Sequence, residues 1–213
     1  MGWYEHELGW PVTGSPPELV TGVRFDALDV PAQAGFAMLS RFPAPGMLGP
    51  VALDGRRVRL LVAAGTAEEL PGLLEWLEWG GIALDLACLG AGQRMRAPAH
   101  PEWGRREAAY DRTAPVWLRP PRAGLDVEST VPALRVADLA GGAGGSDGRH
   151  GRGGPAEAGA PGGSAAVGLT ALVAALATAC HRIALRSRVQ DQPWAFSYAS
   201  RMVAGTRPRS LTS

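Results

Sequence analysis

A chain of 213 residues, 46% of them hydrophobic, is long enough to bury one full core and to carry appended segments. Its formal net charge of +1 rules out bulk electrostatic attraction to nucleic acid or to an acidic surface as a guide to function. All 21 basic residues are arginine, so no lysine is present to act as a base, a Schiff-base former or a P-loop cation. The two cysteines, Cys88 and Cys180, stand far apart and outside any C-x-x-C pattern. That argues against a disulfide framework or a zinc site, and for a reducing cytoplasm. The opening residues show no basic segment followed by an apolar run, so no secretory signal is expected.

In chain order, Trp3 to Leu8 predicts a short helical turn anchored by Trp3, Tyr4 and Leu8, and Gly14 to Pro17 predicts a turn. From Leu19 to Val30 the apolar residues Leu19, Val20, Val23, Phe25, Leu28 and Val30 predict a mostly buried strand, interrupted at Gly22. Pro31 suits the first turn of a helix that turns Phe36 and Leu39 inward and stops at Pro43 and Pro45. Asp29 therefore lies where a strand gives way to a helix, the junction at which α/β proteins gather ligands and catalytic groups. Paired acids at such a strand end can hold a hard cation against a phosphate. Asp26, three residues earlier, falls on the opposite face by strand alternation.

Residues 50–53 and 58–62 flank Asp54 and Gly55 and predict a hairpin with a type I′ turn. Val58, Leu60 and Val62 face one side; Arg57, Arg59 and Leu61 face the other. Those arginines can meet phosphate or simply solvent. Thr66 and Glu69 have capping-box spacing before a helix that carries Leu70, Leu73, Leu74 and Leu77. Trp76 and Trp79 widen its apolar face, as packing or as stacking platforms for bases.

Ile82 to Leu89 predicts a buried strand with Asp85 in its middle. A carboxylate there must be paired or metal-bound, unless it sits at a sheet edge and reaches solvent or an arginine. Arg94 and Arg96 alternate on a further short strand, His100 to Asp111 predicts a loop, and Val116 to Leu118 a last strand. Residues 1–137 thus form the body, and 138–164, rich in Gly and Ala, a disordered linker. In the next segment, 165–199, Val167 to Gln190 predicts a helix with Leu169, Leu172, Val173, Leu176, Cys180 and Ile183 on one face. Its uncharged stretch falls short of a bilayer span, so no membrane is expected. The helix docks back on the body or pairs with a partner, the aromatic segment Trp194 to Tyr198 packs on the body, and 200–213 is a frayed tail.

Three stretches carry a resemblance: Leu8 to Pro11, Thr21 to Val30, and Gly80 to Asp85 followed by Arg96 to Pro98. Over residues 3–120 the chain resembles the bifunctional DNA primase/polymerase N-terminal (Prim-Pol) family, in its short actinobacterial form. The resemblance implies an α/β (α+β) fold with an RRM-like mixed sheet of primase–polymerase type and helices on one face. It also implies a two-metal nucleotidyl-transfer site that takes Mg2+ or Mn2+. Asp29 matches the first aspartate of the family's motif, Pro31 replaces the second, Arg59 stands where a histidine is expected, and Asp85 matches the later aspartate.

Asp29 and Asp85 are thus the residual catalytic and metal-binding candidates, and Arg57, Arg59, Arg94 and Arg96 the candidates for binding nucleic acid or nucleotide. With a bridging carboxylate missing, the expectation is a degenerate, non-catalytic domain that binds DNA or nucleotide through an arginine-lined sheet face. One alternative is a protein-interaction or regulatory module that meets a partner, or a second copy, through 167–199. The other is a residual metal-dependent primase or polymerase. No G-x-S-x-G, P-loop or dinucleotide fingerprint supports acyl or hydride chemistry.

Overall fold

The computed structural model describes residues 2–44, 46–101, 114–124, 127–134 and 167–190. A π-helical turn, Trp3–Glu7, opens the chain and leads to β1 (Val12–Thr13) and β2 (Glu18–Val20). Then come β3 (Asp26–Pro31), α1 (Ala32–Arg41), β4 (Val51–Asp54), β5 (Arg57–Val62), α2 (Thr66–Trp76) and β6 (Ala87–Leu89). The order closes with β7 (Arg94–Arg96), β8 (Val116–Arg119), the short α3 (Val127–Thr130) and α4 (Leu169–Gln190). The fold is α+β. One sheet runs β6-β3-β5-β4-β8 and a second β1-β2-β7. Every strand pair in both is antiparallel, so neither sheet is mixed.

Alternation along β3 and β5 sorts their residues between two cores. Leu28, Val30, Val58, Leu60 and Val62 face the helices and bury against Met38 of α1, Leu70 and Leu73 of α2, and Leu172 and Leu176 of α4. Ala27, Leu61 and Ala52 face the other way, against Leu19 and Met95 of the small sheet and an aromatic group of Tyr4, Trp10 and Phe25. Trp10 lies at the centre of that group, 4.6 Å from Phe25 and 6.0 Å from Tyr4 between ring centroids. The five-stranded sheet is therefore covered on both sides, with α1, α2 and α4 on one of them.

α4 belongs to this core. Leu169, Leu172, Val173, Leu176, Ala177 and Cys180 are buried, and Ile183 is partly so. Its Leu169–Arg188 stretch, mean hydropathy 1.3, is long and apolar enough to cross a membrane. Its apolar face is already occupied by α1, α2 and the sheet. The linker 138–164, the Trp194–Tyr198 segment, the 200–213 tail and most of the His100–Asp111 loop lie outside the described residues.

Several local expectations give way to tertiary contacts. The single strand expected from Leu19 to Val30 is two strands in different sheets. Gly22 turns the chain between them at φ 82°, where a Cβ would lie 2.5 Å from the backbone nitrogen of Ala91. In α1 the residues that face the sheet are Ala34, Gly35 and Met38, while Phe36 is exposed. The β4–β5 loop is Gly55 and Arg56, and only Gly55 has positive φ, the type II′ pattern in place of I′. Thr66 makes no capping box: Gly65 is the N-cap, and the Thr66 hydroxyl donates to the carbonyl of Ala63. The strand expected from Ile82 is formed only at Ala87–Leu89, so Asp85 lies ahead of it with a side chain 62% exposed.

Candidate functional site

Register decides which of the predicted site residues meet. On β3 and β5, Asp29 pairs with Arg59 and Pro31 with Arg57; across β4 and β5, Asp54 pairs with Arg57. All of these point away from the helices. Arginine is long enough to reach diagonal neighbours, and here the diagonal contacts are the strong ones. Arg57 Nε donates to Asp29 Oδ1 at 2.7 Å and its Nη2 to the Asp29 carbonyl at 3.0 Å. Its Nη1 donates to Asp85 Oδ1 at 2.6 Å. Arg59 Nη1 donates to Asp54 Oδ2 at 2.8 Å, and its Nε lies 3.6 Å from Asp29 Oδ2. Arg96, brought over by the small sheet, donates to Asp54 Oδ1 at 2.9 Å.

The result is one alternating ladder, Asp85–Arg57–Asp29–Arg59–Asp54–Arg96, in which three carboxylates balance three guanidinium groups. Asp29 and Asp54 are nearly enclosed, with side chains 15% and 9% exposed. Burial alone would lower the Arg57 pKa, and the bonds to Asp29 and Asp85 outweigh it, so the guanidinium sits above its ordinary value. Arg94 stands apart from the ladder, exposed, 3.9 Å from Glu18.

The ladder thus gathers Asp29, Asp85, Arg57, Arg59 and Arg96 and leaves Arg94 outside. Asp54, which the sequence offered only as a turn residue, is its most enclosed acid. The two-residue loop fixes Asp54 opposite Arg57, and that register was the available signal.

The donor set does not fit a divalent cation. The Arg57 guanidinium occupies the space between the Asp29 and Asp85 carboxylates, and a cation there would face a fixed positive charge and displace three short hydrogen bonds. Among the described residues no cluster of three or more His, Cys, Asp or Glu is placed to hold a metal ion. Other titratable groups are set for structure. Burial pushes the Cys88 thiol up to about 12 and the Cys180 thiol to about 11, which holds both in the protonated, weakly nucleophilic form. Tyr4 donates to the Pro98 carbonyl at 2.6 Å and accepts from Trp117 Nε1 at 2.9 Å.

Asp26 lies on the helix-facing side, fully buried. Its Oδ2 accepts from the backbone N–H of Ala67 at 2.8 Å and so caps α2 from the facing strand β3. Desolvation raises its pKa, with the Glu68 charge adding to the effect, and the hydrogen bond from Ala67 only partly offsets it.

Comparison of the chain with protein-family models, curated proteins and solved structures finds no match.

Proposed function

We propose that this chain is a non-catalytic domain of primase–polymerase type that binds the phosphates of a nucleotide or nucleic acid through arginines. The resemblance read from the sequence is supported by topology. The run β3-α1-β4-β5-α2-β6 with strand order β6-β3-β5-β4 interlocks two β-α-β units, the split arrangement of RRM-type sheets. One observation carries the non-catalytic half of the reading: Arg57 bridges the two aspartates that the resemblance assigns to metal binding. Two-metal transfer needs carboxylates that hold cations roughly 3.5–4 Å apart, and these carboxylates are spent on a guanidinium. The alternative of a partner-docking C-terminal helix loses support, because the apolar face of α4 is seated in the chain's own core.

The test has two parts. Primer extension with Mg2+ or Mn2+ should show no incorporation. Activity that disappears in Asp29→Ala would overturn the non-catalytic reading. Fluorescence anisotropy with single-stranded DNA across a salt series should show binding that weakens with salt. Arg94→Ala should reduce the log–log slope by about 0.7, one phosphate contact on a single strand. Affinity that does not change with salt would overturn the binding half.

A further inference from the structure

We propose that a cleft of about 710 Å³, walled by the β4–β5 turn, the start of α1 and the last turns of α4, binds a diphosphate group, with Arg56 and Arg186 as its cationic ligands. The inference deepens the binding half of the proposed function by naming a site and a ligand class. Its volume lies within the range of small-molecule sites, roughly 300–1,000 Å³.

The cleft is positively charged. Arg56, Arg57 and Arg186 line it against one acid, Asp85, a formal local charge of +3 − 1 = +2 in a chain whose whole net charge is +1. Asp85 is already bonded to Arg57, so that pair neutralises itself. Arg56 and Arg186 are both exposed, and among the described residues neither side chain has an ion pair or hydrogen bond. Arg56 lines it from the hairpin tip and Arg186 from α4. A diphosphate held by both would meet planar, bidentate donors, the geometry in which guanidinium groups recognise phosphate.

The floor helps. Ala32, the first residue of α1, gives its N–H to the Arg56 carbonyl, which ties the arginine's backbone to the head of the helix. No side chain caps that helix, and beyond the Ala32 N–H taken by the Arg56 carbonyl its positive end favours an anion. Gln33 adds a neutral donor, while the Ser187 hydroxyl donates to the Ile183 carbonyl. Closure by three elements suits a compact ligand more than a passing strand of nucleic acid. The ligand would also bridge α4 to the hairpin and hold the helix's last turns in place.

The experiment is calorimetric titration of inorganic pyrophosphate into the full-length chain at constant ionic strength, with orthophosphate and ADP as comparators. Pyrophosphate should bind more tightly than orthophosphate. Arg56→Ala and Arg186→Ala should each weaken it about ten- to a hundredfold, the worth of one or two hydrogen bonds to a charged group. Arg186→Lys should recover part of that loss, and Arg41→Ala, at the far end of α1, should bind as wild type does. Tighter binding of ADP than of pyrophosphate assigns the diphosphate to a nucleotide; equal binding assigns it to the free anion. The proposal is overturned if both cleft variants keep wild-type affinity, or if Arg41→Ala loses as much as they do. Absent pyrophosphate binding alongside salt-dependent DNA binding removes the cleft alone, whereas absence of both removes the proposed function with it.

Discussion

Gly35→Ala sets two known effects against each other and asks which wins. Inside a helix, alanine is favoured over glycine by about 1 kcal/mol, so propensity alone predicts a more stable protein. Packing predicts the reverse. Gly35 lies against Val58 of β5, and a Cβ added there would be 2.8 Å from Val58 Cγ2 and closer still to its Cβ and Cγ1. An ordinary carbon contact needs about 3.5–4 Å, so helix and strand would have to separate by roughly 1 Å. Val58 cannot yield: it is fully buried, stiff at χ1, and its strand is held by β3 on one side and β4 on the other. Overpacking of this kind costs about 1–3 kcal/mol, and lifting α1 would also loosen Ala34 and Met38. Net destabilisation of about 1–2 kcal/mol should appear as a lower urea midpoint with unchanged slope, and as a Tm loss of about 2–8 °C. In a Val58→Ala background the obstruction is gone, and the same substitution should become neutral or stabilising. Gly35→Ala as stable as wild type would refute the close packing of α1 on β5.

Three further outcomes follow from the same geometry. Asp26 has its folded-state pKa raised, so above its ordinary value the folded chain keeps a proton that the unfolded chain has lost. Stability should therefore fall as pH rises through that window; urea midpoints measured across pH should show the slope in wild type and lose it in Asp26→Asn. Leu176→Ala empties a fully buried position between α4 and the rest of the core and should cost about 2–5 kcal/mol, whereas a cost under about 1 kcal/mol would mean that α4 does not dock in cis. Arg57→Ala leaves the enclosed Asp29 with Arg59, 3.6 Å away, as its remaining ion pair among the described residues, and should cost about 1–3 kcal/mol by urea unfolding; no measurable cost would make the ladder ornamental.

The sequence was legible where burial follows a period. β3, the β4–β5 pair, α2 and α4 all show their core faces as regular apolar spacing, and the inward and outward sides of β5 follow from it. It misled where contact is made by small residues or by distant ones. Phe36 looked like the anchor of α1, but a helix that lies this close to a sheet must present Ala34 and Gly35, and the large side chain is turned out. Thr66 had the right neighbours for a capping box, yet the Glu69 N–H it would have served is bonded to the Gly65 carbonyl, and the Ala67 N–H is taken by Asp26, 41 positions away. Ile82 to Leu86 is apolar enough for a strand but has no strand partner, because β3 pairs only with Ala87–Leu89 at that edge. The Asp54 ladder was hidden for a similar reason: Arg96 reaches it only because β7 pairs with β2 in a second sheet.

The arginines of this protein therefore divide by partner, and the division bears on where a ligand can bind. Arg57, Arg59 and Arg96 each answer a carboxylate on the covered face of the sheet. To take a phosphate, they would first have to break short, partly enclosed ion pairs, leaving Asp29 or Asp54 charged and unmatched, which costs several times what an exposed pair returns. Arg57 is held hardest, with both Asp29 oxygen types and Asp85 as acceptors. Arg56 is its sequence neighbour, but strand alternation and the two-residue loop turn it out of the ladder and toward Arg186. The hairpin thus spends one arginine on closing the aspartate pair and offers the next to solvent. On that argument the residues best able to bind an anion are those with no acid of their own to satisfy, and they sit beside the closed aspartate pair at the cleft formed with α4.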